Sequence, residues 1–127
     1  MQTVLIVDDD EETRKVLQAS LAKSDFSAFA VASGEEAVKV CRAQRIDVVL
    51  LDIWMPEKDG LETLMEIRRG APDARIIAMS GGGKLGSMHP LTFASKLGAK
   101  RTLTKPFTHQ ELLSAISETC GPEPARA

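Results

Sequence analysis

The chain has little cysteine, little histidine and no excess of charge of either sign, and each shortage removes a class of function. Its two cysteines, Cys41 and Cys120, fall in separate helical patterns with no Cys-x-x-Cys pair and no Cys/His cluster. That pattern excludes a disulfide framework or a zinc finger and leaves two inert thiols of a reducing cytoplasm. With 16 basic against 18 acidic residues, the net charge of -2 offers no footing for nucleic acid or an anionic membrane. No apolar run approaches the roughly 20 residues that cross a bilayer. The opening Met1-Gln2-Thr3-Val4 lacks the basic leader of a signal peptide. A cytoplasmic protein without membrane insertion and without direct nucleic-acid contact is expected. His89 and His109 stand near helix starts, where exposed or hydrogen-bonded roles are expected rather than metal ligation. At 127 residues, with no repeat visible, the chain reads as one domain large enough for a real core.

What is present is a regular alternation. Short apolar runs at 3–7, 26–31, 48–51, 75–79 and 101–104 read as strands, the third covered on both faces. Between them lie helical patterns. The first is capped by Asp10 or its neighbour and buries Val16, Leu17, Ser20, Leu21 and Ala22, with Arg14, Lys15, Gln18 and Lys23 outside. The second opens on a Ser33–Glu36 capping box and turns Ala37, Val38 and Cys41 inward. The third starts at Asp59-Gly60, packs Leu61, Leu64, Met65 and Ile67, and stops at Gly70-Ala71-Pro72-Asp73. A fourth opens at Pro90 with Leu91, Phe93, Ala94 and Leu97 and ends at Gly98. The fifth carries a Thr108–Glu111 capping box and buries Leu112, Leu113 and Ile116. The Gly-rich stretch 81–87 lacks a Gly-Lys-Ser/Thr ending, so it reads as a mobile linker and not a phosphate loop. Residues 1–121 are expected to form the domain and 122–127 a disordered tail.

Five strands alternating with five helices imply an α/β fold, a doubly wound parallel sheet of flavodoxin-like order 2-1-3-4-5. Ligands collect beyond the carboxyl ends of such strands, at the switch between the first and third. There the first strand ends in Asp8-Asp9-Asp10 and the third in Asp52. Two like charges about 4 Å apart cost on the order of 4 kcal/mol near a protein surface, so clustered carboxylates need a cation or protons. Magnesium suits the site, since it takes oxygen ligands and keeps waters that a phosphoryl group can replace. Ser80 from the fourth strand offers a hydroxyl and Lys105 from the fifth an ammonium. A carboxylate nucleophile, a metal, a hydroxyl and an ammonium are what phosphoryl transfer to Asp requires.

The set Val7-Asp8-Asp9, Leu51-Asp52-x-x-Met55-Pro56-x-x-Asp59-Gly60, Ser80 and Gly98-Ala99 leading to Lys105-Pro106-Phe107 resembles the receiver domain of bacterial two-component response regulators. The likeness runs over residues 2–119 in the family's order. It implies Asp52 as phosphoacceptor and Mg2+ held by Asp9 directly, by Asp8 more loosely, by Asp52 and by the backbone carbonyl of Trp54. It also implies that Ser80 and Lys105 meet the phosphoryl group, and that Lys105-Pro106 is cis. Trp54 and Gly82 flank the site and are expected to tune the lifetime of the acyl phosphate. The implied partners are a sensor histidine kinase or phosphotransfer protein and an unidentified downstream protein. Such a chain catalyses its own phosphorylation and dephosphorylation but is a signalling module, not a metabolic enzyme.

Two departures stand out: Thr102 occupies a place where the family carries an aromatic, and the loop 81–89 is longer and richer in glycine. Three other readings compete. The chain can be a receiver cut from a larger regulator or hybrid kinase. It can be a phosphate-independent binding module on the same fold. A haloacid-dehalogenase-like hydrolase would use the Asp8-x-Asp10 spacing, but the chain has no room for its cap or later acidic motif.

Overall fold

The computed structural model describes residues 2–55, 58–80 and 98–120, with the backbone alone described at 54, 55 and 58–60. Strand β1 (Thr3–Val7) leads into helix α1 (Glu11–Ala22), then β2 (Ser27–Val31), α2 (Gly34–Ala43) and β3 (Val48–Asp52). A two-residue antiparallel ladder joins Trp54–Met55 to Lys58–Asp59. Helix α3 (Gly60–Gly70), strands β4 (Ile76–Ser80) and β5 (Arg101–Thr104), and helix α4 (His109–Cys120) complete the described elements. All neighbouring strands of the main sheet are parallel, in the order β2-β1-β3-β4-β5. The expected strand order is therefore the observed one. The helix expected at Pro90, the loop 81–89 and the tail 122–127 fall outside the described residues.

Alternation along the central strands builds two cores at once. Leu5, Val7, Val49 and Leu51 face one layer, with Ala37 of α2 and Leu64 and Ile67 of α3. Val4, Ile6, Val48 and Leu50 face the other, with Leu17 and Leu21 of α1 and Leu112 and Ile116 of α4. β1 from Val4 to Val7 and β3 from Val48 to Leu51 are apolar at every position because both of their faces are covered. β2 and β5 lie at the edges, and their exposed positions reflect it: Phe29, Arg101, Thr102 and Thr104 are open to solvent.

The helix starts follow their caps. Asp10 accepts from Thr13 N at 3.1 Å and Ser33 from Glu36 N at 3.2 Å. Glu36 reaches back to Ala32 N at 3.4 Å, so that box closes one residue early. At α4 the reciprocal pair is complete: Thr108 Oγ1 accepts from Glu111 N at 3.0 Å, and Glu111 accepts from Thr108 N at 3.3 Å.

Three expected core positions are on the surface. Val16 is 67% exposed, Met65 44%, and Ala22 is exposed. On α1 the Leu17 and Leu21 pair, one turn apart, already fills the contact with β1 and β2, and Val16 lies about 100° around the helix from Leu17. The expected strands open at Phe26 and Arg75, but β2 begins at Ser27 and β4 at Ile76, so each of the two residues lies one position outside the observed strand.

Helices α2 and α3 approach closely through glycine. A Cβ on Gly34 would come within 2.7 Å of Thr63 Cγ2 and 2.9 Å of Glu66 Oε1, and Thr63 is fully buried. Gly34→Ala is expected to lower stability by about 1–3 kcal/mol, the usual cost of overpacking. A denaturant titration reads this as a lower midpoint with an unchanged slope. An unchanged midpoint would mean that α2 shifts freely.

Candidate functional site

The alternation that builds the second core also aims the acids. Asp8 continues the phase of Val4 and Ile6, and Asp52 continues that of Val48 and Leu50. The β1–β3 register pairs Ile6 with Leu50 and Val7 with Leu51, so the next step sets Asp8 beside Asp52. Both carboxylates are buried, at 1% and 6% exposure. Lys105 follows β5 in the phase of Leu103, on the same face. Its Nζ lies 3.4 Å from Asp52 Oδ2 and 3.8 Å from Asp8 Oδ2, bridging the two acids.

Backbone contacts hold these groups in place. Asp8 N donates to Val31 O at 3.2 Å and Ile53 N to Met79 O at 2.9 Å. Ser80 is fully buried at the end of β4, and its carbonyl accepts from Lys105 N at 2.7 Å. Ser80 therefore borders Lys105 through the main chain. The Lys105-Pro106 bond is cis, as expected. Trp54 lies two residues beyond Asp52 and pairs with Asp59 through the short ladder.

Asp9 behaves differently from its neighbour. It is exposed, and among the described residues no three Asp, Glu, His or Cys side chains gather into a metal-holding cluster. The buried pair is Asp8 and Asp52, with Asp9 at the rim. Burial pushes the Asp8 carboxyl up from 3.8 to about 6; the Asp10 N–H lowers it, the Asp52 charge raises it and Lys105 lowers it. One ammonium thus fails to offset the burial of Asp8. Asp8 Oδ1 accepts from Asp10 N at 2.9 Å, whereas Oδ2 is buried without a hydrogen-bond partner. A buried carboxylate oxygen with unused lone pairs, beside a second carboxylate, fits a hard divalent cation. Magnesium commonly binds through only one or two carboxylates.

One supporting residue carried no sequence signal. Arg14, expected on the solvent side of α1, donates from its guanidinium to Asp8 O at 2.7 Å and so braces the turn that carries the acids.

The sequence matches the family model of the response regulator receiver domain over residues 4–117. The chain belongs to the response regulator receiver domain family. Receivers of this family are the phosphoacceptor domains of two-component signalling, working with histidine kinases and downstream targets. The chain is 40% identical over 119 residues to the chemotaxis protein CheY of Listeria monocytogenes, spanning 93% of this chain and 98% of that one. The response regulator TrrA of Thermotoga maritima, solved with Mg2+ and BeF, superposes with a TM-score of 0.77 at 31% identity. That match covers 94% of this receiver and 99% of TrrA. A receiver domain of a Pseudomonas aeruginosa sensor histidine kinase, solved with magnesium in its active-site cleft, gives a TM-score of 0.79 at 27% identity. The coverage there is 95% of this receiver and 98% of that domain. Among the described residues, no helix is long and apolar enough to cross a membrane.

Proposed function

We propose that Asp52 is the phosphoacceptor of this receiver, with Lys105 and Ser80 meeting the incoming phosphoryl group. One observation carries the reading: the Lys105 ammonium sits 3.4 Å from Asp52 Oδ2, inside a buried pair of carboxylates supplied by adjacent strands. An oxygen of the Asp52 carboxylate attacks phosphorus of a phosphohistidine on a partner kinase or phosphotransfer protein. The O–P bond forms as the N–P bond breaks; the bonding pair stays on that nitrogen, and the proton already on the other ring nitrogen makes the leaving group a neutral imidazole. Lys105 pairs with the equatorial oxygens, where negative charge is spread. Ser80 adds a hydroxyl from the neighbouring strand end.

Mg2+ would be held by Asp8, Asp52, the Trp54 carbonyl and, from the rim, Asp9. When bound, it neutralises charge on the phosphoryl oxygens. Asp8, ionised, presents the buried Oδ2 to such a cation, and Arg14 holds the Asp8 backbone steady.

The phosphorylated Asp52 carries more charge than the carboxylate it replaces. It therefore draws in Lys105 and Ser80, biasing a two-state element that a downstream protein reads. One surface that can carry that change is β5 with the groove of about 640 Å³ beside it, lined by Thr102, Thr108 and Ser114. Thr102 is exposed there, so the change of state is read without an aromatic on β5. A cytoplasmic setting accompanies the reading, in keeping with the two free cysteines.

The test is intact mass after incubation with a small phosphodonor. The expected result is a gain of one phosphoryl group with Mg2+ and none with a chelator. No gain under either condition would overturn the reading in favour of a phosphate-independent binding module.

A further inference from the structure

Ser20 lies in the last turn of α1, and Ser24 lies two residues past its end, in the turn that leads to β2. His109, the first residue of α4, reaches both: Nδ1 lies 2.6 Å from Ser20 Oγ and Nε2 lies 3.0 Å from Ser24 Oγ. Both nitrogens of one surface imidazole are thereby engaged by the end of α1 and the turn that follows it. A serine hydroxyl can donate or accept, so the pairing suits either tautomer and the imidazolium.

The helices joined in this way are those that leave the candidate site. α1 follows Asp8-Asp9-Asp10, and α4 follows Lys105 after the segment 106–108. The Thr108–Glu111 box stiffens the start of α4, so a contact at His109 is felt at the preceding residues. Nearer the site, a cleft of about 550 Å³ is lined by Thr13, Val16 and Leu17 of α1 and by Lys105, Pro106 and Phe107. The Lys105 segment is tied to β4 at one end through Lys105 N and Ser80 O, and Phe107 packs on the core that holds Leu17. His109 ties its other end to α1 and the turn after it.

We propose that His109 is a positioning residue: by bridging Ser20 and Ser24 it fixes the Lys105 segment against α1 and so sets the reach of the Lys105 ammonium to Asp52. The proposal rests on Asp52 being the acceptor. Misplacing a catalytic group by about 1 Å can cost around a hundredfold, and a loosened tether should cost less, about five- to tenfold.

The experiment compares phosphoryl uptake from a small phosphodonor by wild type, His109→Ala, His109→Gln and the Ser20→Ala/Ser24→Ala pair, each well below its melting temperature. Expected is a five- to tenfold loss of maximal rate in His109→Ala and in the serine pair. The Mg2+ concentration for half-maximal rate should stay the same, because the Asp8 side is untouched. Combining the His109 and serine changes should be no worse than either alone. His109→Gln, which can still bond a serine, should recover most of the rate. Unchanged maximal rates with lowered melting temperatures would overturn the proposal, reducing His109 to a purely structural contact. Additive losses would overturn it too. Failure of wild type to take up phosphate would overturn the acceptor reading and this proposal together; normal wild-type uptake with unaffected variants sinks this proposal alone.

Discussion

Asp52→Asn is expected to take up no measurable phosphoryl group from a donor that loads wild type, a loss of a thousandfold or more, or about 4 kcal/mol of barrier. The substitution is nearly isosteric, and the amide oxygen can still accept from the Lys105 ammonium that lies 3.4 Å from Asp52 Oδ2. What disappears is the anionic nucleophile. The fold should not suffer, because the Asp52 charge is one of the influences that raise the Asp8 carboxyl. Removing it relieves a like-charge contact, and a thermal melt of Asp52→Asn should match or exceed that of metal-free wild type. Loss of uptake in a well-folded variant is therefore chemical. Intact mass on both proteins decides it. Equal gain by Asp52→Asn would move the acceptor to another residue, with Asp8 the nearest carboxylate.

The strand order and the meeting of Asp8-Asp9 with Asp52 were legible because continuous apolar runs alternate with helical patterns, and the resulting order makes the first and third strands neighbours. Once Val4, Ile6, Val48 and Leu50 share a face, the acids that end both strands must share it. The caps at Asp10, Ser33 and Thr108 were legible for a similar reason, as local chemistry with fixed spacing. Legibility failed where distant segments decide. Nothing in Asp8-Asp9 says which carboxylate turns inward; the step after Val7 does, and it buries Asp8 and leaves Asp9 exposed. Val16 reads as core from its type, yet Leu17 and Leu21 already fill the contact. Arg14 and His109 act on a backbone carbonyl and on two serines that no spacing rule connects to them. These are tertiary facts, set by how α1 lies against β1 and α4.

Asp8→Asn should raise the stability of the metal-free protein at neutral pH while removing its response to Mg2+. Burial lifts the Asp8 carboxyl from 3.8 to about 6, so between those values the folded state holds a proton that the unfolded chain has released. The stability this contributes is full below the lower value and is lost as pH rises through the upper one. By pH 7 the metal-free fold has lost on the order of 3 kcal/mol relative to acid conditions, from a shift of about two pKa units. Asparagine avoids that loss. Its Oδ1 can keep the 2.9 Å bond from Asp10 N, and its amide nitrogen replaces Oδ2, which makes no hydrogen bond and lies 3.8 Å from the Lys105 ammonium, with a donor that can turn to Asp52. A rise of roughly 5–10 °C in melting temperature is expected at pH 7 without metal, shrinking toward nothing near pH 4. Wild type should instead gain stability from Mg2+ at pH 7, with half-saturation moving to higher Mg2+ as pH falls through 6, because protons compete for the same oxygen. Phosphoryl uptake at fixed, subsaturating Mg2+ should decline over the same interval. Equal metal-free melting temperatures for the two proteins at pH 7, or an Mg2+ response retained by Asp8→Asn, would mean that the buried oxygen is satisfied by other means and that the cation is held from the Asp9 rim.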